Sequence, residues 1–150
     1  MLHGRKGTRI FLAACTVLAA LACGSPGPSG AASSAPAWEG SLDRGLQRAA
    51  AEKKLVMVFF YTDWCGWCRR MDESTFADAQ VQEALARLVV VRLNAEKNGR
   101  AEAARFRVNS YPNIAFLDAS GRQVARIPGF LPAPAFLEEL RDVLNAAANR

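Results

Sequence analysis

Apolar residues fall into a few short blocks along the 150-residue chain, and their spacing predicts its elements. Leu55-Val56-Met57-Val58-Phe59-Phe60-Tyr61 is an unbroken apolar run. Without alternation, it predicts a strand buried on both faces, as in a parallel or mixed sheet covered by helices. Leu88-Val89-Val90-Val91-Arg92-Leu93 predicts a second strand. Asn113–Leu117 and Gln123–Ile127, either side of a turn at Asp118–Gly121, predict an antiparallel hairpin. Helical spacing places Leu42, Leu46, Ala49 and Ala50 on one face behind Ser41 as N-cap, with Lys53 and Lys54 at the negative pole. Arg69–Glu73 predicts a helix that Ser74-Thr75 interrupts, and Asp78 caps a second piece with Val81, Leu85 and Leu88 inward. Asn98-Gly99 opens a helix over Arg100–Arg107. After a break at Pro128-Gly129, Pro134–Ala147 is amphipathic, with Phe136, Leu137, Leu140, Val143 and Leu144 on its apolar side. The order α-β-α-β-α-β-β-α defines an α/β domain: a mixed sheet of about four strands flanked by helices, its βαβ crossover right-handed.

Ahead of this domain the pattern changes. Arg5, Lys6 and Arg9 precede an uncharged apolar and small-residue run, Ile10–Ala22, so residues 1–22 read as an export signal. The run falls short of the about 20 apolar residues of a membrane span, although an uncleaved anchor is the alternative. Residues 23–37 form a tether: Gly24 to Ala37 is only Gly, Ser, Pro and Ala, with a random-coil span of roughly 20 Å. The folded domain is expected over residues 38–150, beginning at Trp38. A core of about 110 residues is large enough to sustain itself.

Charge narrows the choice of partners. Lys and Arg number 19 against 14 Asp and Glu, and three of the basic residues lie in the leader. No basic run is interleaved with aromatics, which argues against nucleic acid. The sole histidine, His3, also lies in the leader, so the domain has no Ser-His or Cys-His couple. Cys65 and Cys68 are its only cysteines. A zinc half-site would need two further ligands, so no metal and no cofactor site is expected.

What remains is Cys65-Gly66-Trp67-Cys68, at the end of an apolar strand and the mouth of a helix. C-x-x-C in that setting marks a thiol–disulfide redox site. Cys65, at the helix N-terminus, meets free N–H groups and the positive dipole pole, which favour the thiolate. Cys68, about a turn further in, is placed to resolve a mixed disulfide. A structural disulfide closing so small a loop would stabilise little.

Two resemblances add to this reading. Ala19-Ala20-Leu21-Ala22-Cys23 resembles the lipobox of bacterial lipoproteins, which implies lipidation at Cys23. Leu12-Ala13-Ala14-Cys15 fits that pattern better but lies too close to Arg9. Tyr61-Thr62-Asp63-Trp64-Cys65-Gly66-Trp67-Cys68, with Ser74-Thr75-Phe76-Ala77-Asp78 and Val81-Gln82, is similar to the thioredoxin superfamily. It is particularly similar to the C-terminal periplasmic thioredoxin-like domain of DsbD-type thiol:disulfide interchange proteins. The resemblance covers roughly Trp38 to Ala147. It implies a thioredoxin-like fold with its first edge strand missing or reduced. It also implies that Pro112, after Ser110-Tyr111, is a cis-proline facing the cysteines, although trans dominates X–Pro bonds at large.

In this reading Trp64, Trp67, Tyr111 and Pro112 dock the substrate. The chain departs from the family in two places. Phe59 stands where many members carry a buried acid, leaving Asp63 and Asp72 as proton relays or as solvated surface carboxylates. Trp67 replaces a common proline. The activity implied is that of an exported, lipid-anchored reductase on the outer face of a membrane. Its partners would be disulfide-bonded envelope proteins and a membrane electron donor. An oxidase or isomerase, or a binding or chaperone module of the same fold, are the alternatives.

Overall fold

The computed structural model describes residues 36–149. The expected export signal, Cys15, Cys23, His3 and nearly all of the expected tether lie outside them. The sheet is built around β1 (Val56–Tyr61), every residue of which but Tyr61 is buried. On one side β1 pairs in parallel with β2 (Val89–Asn94), and on the other antiparallel with β3 (Asn113–Leu117). β3 pairs antiparallel with β4 (Gln123–Pro128), giving the order β2-β1-β3-β4. The expected first edge strand is reduced to a single parallel bridge, Glu39 to Val91. Two backbone hydrogen bonds make it: Glu39 N–H to Val90 O and Arg92 N–H to Glu39 O, each 2.9 Å.

Alternation along β1 sorts the core into two halves. Val56, Val58 and Phe60 face α1 (Leu42–Glu52) and α4 (Arg100–Arg105). Met57 and Phe59 face the other layer, built by α2 (Gly66–Arg70), α3 (Ala79–Leu85) and α5 (Ala133–Ala148). Both cysteines belong to this second half. Burial on both faces is the reason β1 lacks polar alternation.

Local details differ from the sequence pattern. The inward face of α1 uses Leu42, Gly45 and Ala49, whereas Ala50 is exposed. A Cβ on Gly45 would stand 2.4 Å from Val91 Cγ2, so the glycine lets α1 lie close on the sheet. Ser41 occupies the N-cap position without a side-chain cap bond, and Lys53 lies past the last turn in the left-handed region. Asp78 caps α3 as expected, accepting from the N–H groups of Gln80 and Val81 at 2.9 and 3.1 Å. Ser74-Thr75 does not interrupt the helix after the cysteines. α2 runs on through a π-helical turn, Met71–Thr75. The Ser74 hydroxyl donates back to Arg70 O at 2.6 Å, an i−4 bond that helices accommodate, and that of Thr75 to Leu131 O at 2.5 Å, away from the local backbone. Leu88 precedes β2, α4 ends at Arg105, and Pro128 closes β4 at the sheet edge, where its missing N–H costs no ladder bond.

Candidate active site

β1 ends at Tyr61, and after three intervening residues the chain turns into α2 with Cys65 as its N-cap. Cys65 and Cys68 are joined in a disulfide, their Cα atoms 5.3 Å apart. The N–H of Cys68 donates to Sγ of Cys65 at 3.1 Å. The cap role that Ser or Asp fills elsewhere is thus taken by sulfur. Once the bond is reduced, the same N–H faces the Cys65 thiolate and favours the charged form. Cys65 is 4% exposed and Cys68 2%.

Two exposed indoles flank the pair: Trp64 at 65% and Trp67 at 62% are the exposed large hydrophobic residues among those described. Trp67 lies against Phe130, ring centroids 5.3 Å apart. Trp67, Phe130, Tyr111, Pro112 and Gly129 line an open cleft of about 360 Å³. The Tyr111–Pro112 peptide bond is cis. Pro112 O accepts from Gly129 N–H at 2.8 Å, and Gly129 holds φ +79°, a backbone position that favours glycine.

Asp63 and Trp64, immediately before Cys65, are held by the end of β2 and the loop that follows it. Asp63 accepts from Asn94 Nδ2 at 2.8 Å and from Lys97 Nζ at 2.6 Å. The hydrogen bond to Asp63 raises the Lys97 ammonium above its ordinary pKa. Trp64 Nε1–H donates to both carboxylate oxygens of Glu96, at 3.0 and 3.1 Å. Asp72 lies in the π-helical turn and is gripped by Arg92. The structure thus brings Trp67, which lies between the two cysteines in the chain, to one cleft with Tyr111 and Pro112, and sets Trp64 edge-on to Tyr111. Both candidate relay carboxylates are bound to cations. Asn94, Glu96 and Lys97 escaped the sequence reading. Their only signal was a polar stretch, Asn94–Gly99, following a buried strand.

A mixed sheet with a disulfide at the N-terminus of the helix after its central strand, and a cis-proline immediately before β3, defines a class of protein. The chain belongs to the thioredoxin-like domain family, whose profile matches residues 42–144. It is 38% identical over 110 residues to the thiol:disulfide interchange protein DsbD of Ralstonia nicotianae. That match takes in 71% of this chain but only 18% of the relative, so the chain spans about a fifth of such proteins. Among solved structures, a thioredoxin from Thermus thermophilus superposes with a TM-score of 0.67 at 32% identity, covering 74% of this chain and 88% of that one. A putative disulphide-isomerase from Bacteroides thetaiotaomicron gives 0.65 at 31%, covering 73% and 93%.

Proposed function

We propose that the chain is a thiol–disulfide oxidoreductase of the cell envelope, acting as a reductase of disulfides in exported proteins. The observation that carries the chemistry is the Cys65–Cys68 disulfide at a helix N-terminus, beside the Pro112 cleft. In the reduced protein the Cys65 thiolate attacks one sulfur of the client disulfide. The client's other sulfur leaves as a thiolate, and a mixed disulfide joins Cys65 to the client. The Cys68 thiolate then attacks Cys65 Sγ, releasing the first client sulfur. Two electrons pass to the client, and the Cys65–Cys68 bond seen here is the product. A membrane protein presenting a dithiol on the same side of the membrane would return those electrons. An apolar run ending at Cys23, followed by an uncharged tether, supports a lipid-anchored export form.

Residues 38–150 and their Cys65→Ser variant would be compared in insulin reduction with dithiothreitol as donor. Turnover by the parent and none by the variant is expected. Equal activity, or none in either, removes the enzyme reading and leaves a peptide-binding module. Redox titration of the pair settles direction: a potential near −270 mV, as in thioredoxin, fits a reductase, and one near −120 mV an oxidase. Fatty-acid labelling of the full chain in cells, lost in Cys23→Ser, tests the anchor.

A further inference from the structure

Trp67 is shared by two clefts. One is the cleft it forms with Phe130, Tyr111 and Pro112. The other opens on the outer side of α2, with a volume of about 480 Å³, and is lined by Gly66, Trp67 and Arg70. Arg70 stands three positions after Trp67, so helical spacing sets the two side chains on one face. A peptide lying along Pro112 and continuing over the exposed Trp67 indole enters this second cleft, where Arg70 is the charged wall.

The charge is uncommitted. Arg70 is exposed, and among the described residues its guanidinium makes neither a hydrogen bond nor an ion pair. Its neighbour differs, since Arg69 Nη1 donates to Asp63 O at 3.2 Å. The acids near the cysteines are already engaged. Asp63 holds Asn94 and Lys97, Asp72 holds Arg92, and Glu96 holds the Trp64 indole. Glu73 follows Arg70 by three positions, a turn further from Gly66, and forms no ion pair with it. The second cleft thus sets one unneutralised cation beside an apolar ring, with no carboxylate among its lining residues.

We propose that Arg70 is a specificity-determining residue: it selects client segments that carry a carboxylate beside the exchanging cysteine. The proposal rests on the thiol–disulfide reading of Cys65 and Cys68, but not on the direction of electron flow. The occupant is an acidic peptide, because a free guanidinium offers a carboxylate two parallel N–H donors and offers a basic side chain only repulsion. In the mixed disulfide the client sulfur is bonded to Cys65 Sγ. Gly66, the next residue, already lines the Arg70 cleft, so the client's flanking side chains lie beside it. Such a charge acts on docking and partner choice, and a small uncharged disulfide should be indifferent to it.

The test follows oxidation of reduced residues 38–150 by three disulfides at low ionic strength. They are hydroxyethyl disulfide and the symmetric disulfides of two ten-residue peptides, whose single cysteine is flanked on both sides by Glu or by Lys. Each peptide is compared only with itself across protein variants, which removes the effect of its charges on its own thiol. In Arg70→Gln the Glu peptide should react roughly threefold more slowly, the scale of one exposed ion pair. The Lys peptide should react faster by a similar factor, and hydroxyethyl disulfide at an unchanged rate. Arg87 lines a separate cleft with Leu55, at the opposite end of β1, and serves as the control for net charge. Arg87→Gln should leave all three rates unchanged. In 1 M salt, where the screening length is about 3 Å, the peptide rates should no longer depend on Arg70. An Arg70→Gln variant indistinguishable from the parent, equal slowing of both peptides, slowing with hydroxyethyl disulfide, or the same change of preference in Arg87→Gln would each overturn the proposal. No oxidation of the parent by any of the three would instead remove the redox reading itself, and the proposal with it.

Discussion

Arg92 and Asp72 are joined by two parallel hydrogen bonds of 2.6 and 2.7 Å, linking strand β2 to the helical turn that follows Cys68. The guanidinium also lies over the rings of Tyr61 and Phe59, at 4.4 and 5.2 Å from their centroids. Phe59 is the register partner of Arg92 across β1 and β2. Where many relatives in pattern place an acid on the central strand, this chain has an aromatic floor beneath a cation, and the acid that neutralises it comes from the helix. The bond to Asp72 raises the Arg92 pKa further above its ordinary value, so the guanidinium keeps its charge.

Removing the guanidinium would leave the Asp72 carboxylate half-buried and alone. Arg92→Ala is expected to destabilise the domain by about 2 kcal/mol, less than the 3–5 of a fully buried pair because both side chains keep some solvent. Arg92→Lys should fall between the two, having the charge but neither the fork nor the flat stacking surface. Urea unfolding midpoints at constant m-value read the difference.

The two cysteines should separate by role. With an oxidised client peptide, reduced Cys68→Ser should accumulate a covalent adduct one peptide heavier, because Cys65 attacks and nothing resolves the product. Reduced Cys65→Ser should form far less, since Cys68 lies inside α2 whereas Cys65 is its N-cap. Mass spectrometry without reductant distinguishes them. Equal adducts on both variants would show that the chain does not assign attack and resolution in this way.

Gly45 gives a result opposite to helix propensity. Alanine at a helix interior position ordinarily gains about 1 kcal/mol over glycine. Here the added methyl meets Val91 at 2.4 Å, in a layer with no room to yield. Gly45→Ala should therefore destabilise by about 1–3 kcal/mol, the usual cost of overpacking. Pairing it with Val91→Ala should recover much of the loss.

Asp118, in the β3–β4 turn, accepts from the hydroxyl and N–H of Ser120 and from the N–H and Nε of Arg122. These bonds, the Ser120 hydroxyl foremost, lower its pKa from 3.8 to about 2. A carboxylate with a depressed folded pKa adds stability above its unfolded pKa and loses it as pH falls toward the folded one. The stability gap between the parent and Asp118→Ala should be constant above pH 5 and close between pH 4 and 2. Denaturation curves at pH 6, 4 and 2.5 would show it, and a gap independent of pH would refute it.

The cysteine pair, the buried central strand and the hairpin were legible because each is a local pattern: a spacing, an apolar run, a turn flanked by β-formers. Pro112 was legible only through resemblance, since nothing local distinguishes it from a turn proline. The grip of Arg92 on Asp72 left a trace, as a charge inside an apolar strand needs a partner, but the partner's identity depends on how α2 crosses the sheet. Glu96 left almost none. Its contact with Trp64 spans 32 positions and joins two loops, where no periodicity connects the residues. Ser74-Thr75 misled for a related reason: hydroxyls that break helices when free were consumed by Arg70 and Leu131.

The single bridge at Glu39 has a mechanical meaning. Tension applied ahead of the domain enters through Trp38 and Glu39, and only two backbone hydrogen bonds resist it at the sheet edge. The Trp38 ring lies on Phe59 and Phe76, at 6.1 and 5.3 Å, and both belong to the cluster that encloses the cysteines. A pull strong enough to peel residue 39 from β2 would next strip an aromatic wedge from the packing beneath the disulfide. In a protein held by its N-terminal end, the point of attachment and the reactive sulfurs would then share one load path.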